Sequence, residues 1–147
     1  MSNMVQLPDG RFEELSAYEN APELKARSIS VDCVHKFPAI ISSKVIHIEN
    51  SLLNGLKELN CEGHVTLKNV KGNAQTIKIV APSGLTFLNV KGVRLSPNSE
   101  INGTIFATSL TGIPKCFHDQ VMRGVLKANS SSYVAFNPYF MKKGKTR

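Results

Sequence analysis

Residues 65 to 72 read VTLKNVKG and residues 85 to 92 read LTFLNVKG, so five of eight positions coincide at a separation of twenty. A repeat of that length constrains the fold first, because one copy cannot bury an apolar face by itself and must stack on its neighbours. Alternation places Val65, Leu67 and Val70 inward, with Thr66 and Lys68 facing water. One period later Leu85, Phe87 and Val90 take the inward places, and Ile105, Ala107 and Leu110 follow another period on. Nineteen residues earlier, Ile46, Ile48 and Asn50 align with Val65, Leu67 and Asn69, which makes four copies. Gly72, Gly92 and Gly112 close successive units.

From residue 28 to 112 the chain is a series of short alternating runs, among them SISVDCV, KVIHIEN, QTIKIV and TIFATSL, punctuated by Gly, Asn, Pro and Ser. These are strand signals about five residues long. The expected fold is all-β: a short β-solenoid, or β-helix, in which coils stack through a backbone ladder. A β-sandwich or small β-barrel is the alternative, since short strands with regular turns describe those folds as well. Asn50, Asn69 and Asn89 fall where the chain turns, and asparagine tolerates left-handed backbone, so their expected role is structural. NSLLNGLKELN, residues 50 to 60, spaces four leucines as a helix would, although Gly55 argues against one.

The ends differ from this core. Residues 1–27 carry the turn run Pro8, Asp9, Gly10 and then one or two short helical turns, which suit an N-terminal arm or cap. In residues 113–140, CFHDQVMRGVLKAN puts Phe117, Val121, Val125 and Leu126 at helical spacing, which predicts a helix that covers the open end of the stack. Tyr133 to Phe136 reads as one more strand, and 141–147 is a basic tail.

The formal net charge is +7, but it is unevenly spread along the chain. Residues 1–111 carry eleven Lys or Arg against ten Asp or Glu, whereas 112–147 carry seven against Asp119 alone. Lys115, Arg123, Lys127, Lys142, Lys143, Lys145 and Arg147 are therefore the candidate partner-binding residues. With Tyr133, Phe136, Tyr139 and Phe140 among them, this quarter could contact phosphates and stack on bases, which would make a nucleic acid the partner.

Each cysteine has a histidine close by: Cys33 with His35, Cys61 with His64, Cys116 with His118. Two such pairs could form a tetrahedral zinc site, and Cys116 near a helix start could become a thiolate nucleophile. No C-x-x-C knuckle supports the metal and no orienting partner or oxyanion site can be read for the thiol, so neither a metal nor a cofactor is assigned. Phosphate-loop, H-E-x-x-H and G-x-S-x-G patterns are missing from the sequence, and the residues favour a non-enzymatic role. Three unpaired cysteines point to reduced thiols, and no apolar run approaches the roughly 18 residues that span a bilayer, so the expectation is a soluble, cytoplasmic protein.

The repeat core between residues 28 and 112 with non-repeating ends resembles the bactofilins, small bacterial cytoskeletal β-helices that polymerise end to end. The resemblance is one of layout and carries over no functional residue. It implies a structural or assembly role. The function expected is a non-enzymatic interaction or assembly module, a rigid β-scaffold for a protein partner or for self-assembly, with nucleic-acid binding through the basic C-terminal quarter as the alternative and a Cys/His metal or thiol site third.

Overall fold

A computed structural model describes residues 3–131, with side chains described through Val125. In chain order the elements are β1 (Met4–Gln6), β2 (Phe12–Glu14), a 3-10 turn (Leu15–Tyr18), β3 (Glu23–Lys25), β4 (Ser28–Asp32), β5 (Ile40–Ser43) and β6 (Val45–Glu49). There follow β7 (Glu58–Cys61), β8 (Val65–Ala81), β9 (Leu85–Leu95), β10 (Glu100–Ile101), β11 (Ile105–Ala107), a second 3-10 turn (Lys115–Phe117) and α1 (His118–Ser131).

The repeat is real and it is a solenoid. Leu85 lies in register with Val65 on one side and Ile105 on the other, and Val65 follows Ile46, which follows Ile29. A second column runs Val31, Ile48, Leu67, Phe87, Ala107. These two columns form the inner side of a first wall made of β4, β6, the start of β8, the start of β9 and β11, all parallel. A second parallel wall contains β3, β5, β7, the end of β8 and β10, with Leu24, Ile41, Leu59 and Ile79 inside. All thirteen of these aliphatic residues and Phe87 are buried. Parallel strands buried on the inner face and separated by tight corners explain why the core is one continuous stack of β-branched and leucine side chains.

The third wall is less regular. It consists of the arcs 33–39, 50–57, 70–76, 90–96 and 109–115, and only β8 and β9 pair there as strands, through Lys71 with Lys91, Gln75 with Val93 and Thr76 with Arg94. NSLLNGLKELN forms one of these arcs instead of a helix. Gly55 takes a φ of +85°, where a Cβ would stand 2.9 Å from the Phe37 carbonyl oxygen, and the turn aims Leu53 and Leu56 into the core. Gln75 then pins the arc, its Nε2 donating to the Leu53 and Leu56 carbonyls at 2.7 and 2.9 Å.

The chain covers the apolar core at both ends of the stack, with β2 and β3 left as edge strands at the first. At the first, β1 runs antiparallel to β4 and β2 to β1, while the Asn3 side chain accepts from Asp32 N at 2.9 Å and donates to Asp32 O at 2.8 Å. At the other, the second 3-10 turn lays Phe117 and α1 lays Val121 and Val125 on the core, matching the predicted spacing. Gln120 Nε2 donates to the Ile101 and Gly103 carbonyls at 2.8 and 2.9 Å, which satisfies acceptors that would otherwise seek another strand. Gly124 permits this approach, since a Cβ there would lie 2.7 Å from the Ile105 carbonyl.

Leu67 sits mid-column and fully buried, so Leu67→Ala is expected to destabilise the fold by about 2–5 kcal/mol in urea denaturation. Thr66→Ala, one residue away on the outer side, is expected to change stability by less than about 0.5 kcal/mol.

Candidate interaction surface

The corner between the first and third walls is built from residues in left-handed backbone. Asn50, Asn69 and Asn89 have φ of 53°, 54° and 51°, and Cys33 takes the equivalent place in the first coil at 57°. Their side chains stack into a hydrogen-bonded ladder along the solenoid. Asn89 Nδ2 donates to Asn69 Oδ1 at 2.7 Å, Asn69 to Asn50 at 3.1 Å, and Asn50 to the Asp32 carboxylate at 2.9 Å. Each amide that donates along such a chain becomes a better acceptor, so the bonds reinforce one another. The sequence expectation that these asparagines are structural agrees with this geometry.

Immediately after this corner the chain enters the third wall, and its outer surface has one sign of charge. The five arcs contain Lys36, Lys57, Lys71, Lys91, Arg94 and Lys115, all exposed, and no Asp or Glu. Of the eleven cations in residues 1–111, five lie here with none of that segment's ten carboxylates. Ion pairs among the described residues are confined to Arg11 with Asp9 and Glu13, and to His47 with Glu49, so none of the six cations is neutralised by one. On the other walls the charges are mixed: Glu49 is in register with Lys68 and Glu58 with Lys78. Between the cations of the third wall lie exposed Asn54, Asn73 and Thr76, around a shallow recess of about 460 Å³ that Lys57 also lines.

The residues singled out from the sequence are distributed as follows. Lys115 is exposed at the end of the last third-wall arc. Arg123 lies on α1 over the end of the stack, its Nη1 donating to the Gly103 carbonyl at 3.4 Å. Lys127 falls within the helical span but beyond the described side chains, and Lys142, Lys143, Lys145, Arg147 and the strand expected from Tyr133 to Phe136 lie outside the described residues. Sequence reading missed Lys36, Lys57, Lys71, Lys91 and Arg94 as a group, because they are spread over sixty residues among acids that fold onto other walls. The available signal was the recurrence of at least one cation in each stretch after a corner asparagine or its equivalent.

The three Cys/His pairs do not converge. Cys61 is buried in the second wall, where burial pushes its thiol above the ordinary range, and Sγ contacts the Lys44 carbonyl at 3.3 Å. His64 bonds Thr86 Oγ1 through Nε2 at 2.8 Å, and His118 Nε2 bonds the Ile113 carbonyl at 2.9 Å. Cys33 is exposed, and its hydrogen bond to the Asp32 carboxylate, 3.4 Å long, holds its thiol above the usual value. Among the described residues no three His, Cys, Asp or Glu side chains group as metal ligands. A cleft of about 430 Å³ on the corner between the second and first walls is lined by Lys25, Arg27 and Lys44 together with Glu62, and Arg27 there already donates to the Pro8 carbonyl at 3.2 Å. No helix among the described residues is long and apolar enough to cross a membrane.

No protein-family model, no curated protein and no solved structure matches the chain.

Replacing Asn69 by Ala removes two ladder bonds and puts a Cβ without a compensating amide in left-handed backbone, so a loss of about 2–3 kcal/mol is expected by chemical denaturation. A loss below about 0.5 kcal/mol would show that the corner does not depend on it. Asp32→Asn takes the carboxylate away from Cys33, so the thiol's pKa falls and its alkylation at neutral pH speeds up; an unchanged labelling rate, read by mass spectrometry, would contradict that cause.

Proposed function

We propose that this protein is a non-enzymatic interaction module whose rigid β-solenoid presents its third wall to an anionic partner. The supporting observation is the sorting of charge: cations recur on that wall coil after coil, with no carboxylate between them. The scaffold suits the task, because a ladder of backbone and asparagine hydrogen bonds holds the charge-bearing segments in place before a partner arrives, which lowers the ordering cost of binding. The bactofilin-like layout extends this reading to the kind of assembly involved. End-to-end growth needs open ends; α1 covers one, and although β2 and β3 are edge strands at the other, the sorting of charge favours contact through the side of the stack over filament growth.

Photo-crosslinking in the producing cell tests the reading. With the crosslinker at Asn73 on the third wall, discrete adducts are expected that disappear on Lys71→Glu/Lys91→Glu, while Met122 on the end helix gives none. Adducts that form equally at Met122, or that survive the charge reversal, would overturn it.

A further inference from the structure

Register pairs reveal how unusual the third wall is. The first and second walls mix the signs on adjacent coils: Glu49 lies between Asp32 and Lys68, and Glu58 beside Lys78. On the third, Lys71 stands beside Lys91, and Arg94 follows on the same arc beside Thr76. Like charges directly opposite on neighbouring strands destabilise a sheet. A surface that needed only solubility would intersperse both signs, as the other walls do. The arrangement suits a ligand that brings negative charge at regular intervals.

Three features narrow the ligand. The cations occur on five successive coils, spread across the width of the wall, and four rung spacings of about 4.8 Å make this cationic face about 19 Å long. A duplex places one charge per about 1.7 Å of its axis, so that length carries about eleven phosphates, roughly half of them facing the protein. The arcs' one Phe, Tyr or Trp, Phe37, is buried, so apart from the exposed His35 ring this wall offers, among the described residues, no ring on which the bases of a single strand could stack. Of the exposed large apolar residues only Leu52 belongs to these arcs, too little to anchor the face in a lipid surface. What accompanies the charge is Asn54, Asn73 and Thr76, groups that hydrogen-bond to phosphate oxygens.

From this we infer that the third wall binds the phosphate backbone of a nucleic-acid duplex without reading its bases. Lys57, Lys71, Lys91 and Arg94 form the centre of the contact, with Lys36 and Lys115 at its ends. The inference rests on the interaction reading above and names its partner class.

The experiment is fluorescence anisotropy of the full chain with a labelled duplex of about 20 base pairs, over a salt series. Five contacts give a slope of log K against log salt of about −4 to −5, or a loss of about 500-fold between 50 and 200 mM. Lys71→Gln/Lys91→Gln is expected to reduce that slope by about 2. Lys25→Gln/Lys78→Gln, which removes the same charge from the second wall, is expected to change it by less than about 1, with both variants matching the parent in thermal unfolding. Neutralising Lys142, Lys143, Lys145 and Arg147 is expected to leave most of the slope in place. The proposal is overturned by no duplex binding at 50 mM salt, by equal losses in the two double variants, by loss of the whole slope with the tail charges, or by binding to phosphatidylserine vesicles in preference to duplex. If duplex binding fails while Asn73 adducts persist and resist nuclease, the partner is an acidic protein and only the nucleic-acid assignment falls.

Discussion

The parallel register between coils is the constraint on which everything else depends. Because Val65, Leu85 and Ile105 occupy one column, the inward side chains of successive coils lie directly one above another. The core is thus a set of one-dimensional stacks, and its stability comes from interfaces between successive coils. A slip of one residue in any coil would turn its whole inward set to water. Glycines guard this register where backbone meets backbone: at Gly84, with φ of +114°, a Cβ would stand 2.9 Å from the Thr104 carbonyl of the next coil.

The asparagine ladder couples that register to the surface. It fixes the corner at Asn50, Asn69 and Asn89 through backbone that few other residues adopt, and through side-chain bonds that only a matched register permits. Two residues beyond Asn69 and Asn89 stand Lys71 and Lys91, so the direction in which these lysines leave the core follows from the corner. The first coil shows what the ladder needs at its end: with Cys33 in place of an asparagine, the Asp32 carboxylate accepts the last amide instead.

Much of this architecture was legible in the sequence wherever the period stayed constant. Twenty-residue steps from Val65 to Leu85 to Ile105 expose both the strands and their inward faces, and the Phe117, Val121, Val125 spacing announces the capping helix. The first coil was hidden because its step is shorter: Ser28 pairs with Val45, seventeen residues on. The leucines of residues 50 to 60 mislead for a different reason. Leu53, Leu56 and Leu59 point inward from a bent arc and from β7, and a bend that turns around a core can imitate helical spacing over so few residues.

Charge was the least legible property, and the cause is physical. A running sum along the chain adds residues that a solenoid then separates onto different walls, so the near-neutral balance of residues 1–111 conceals a cationic wall beside mixed ones. In a stacked fold the informative sum is taken down each column. Summed that way, Lys71 and Lys91 reinforce each other's potential, whereas Glu49 offsets Lys68 within one coil spacing. Screening in physiological salt has a length of about 8 Å, longer than the spacing of about 4.8 Å between rungs. Cations on adjacent coils therefore act on an approaching polyanion as one field, and the mixed walls present almost none beyond that distance.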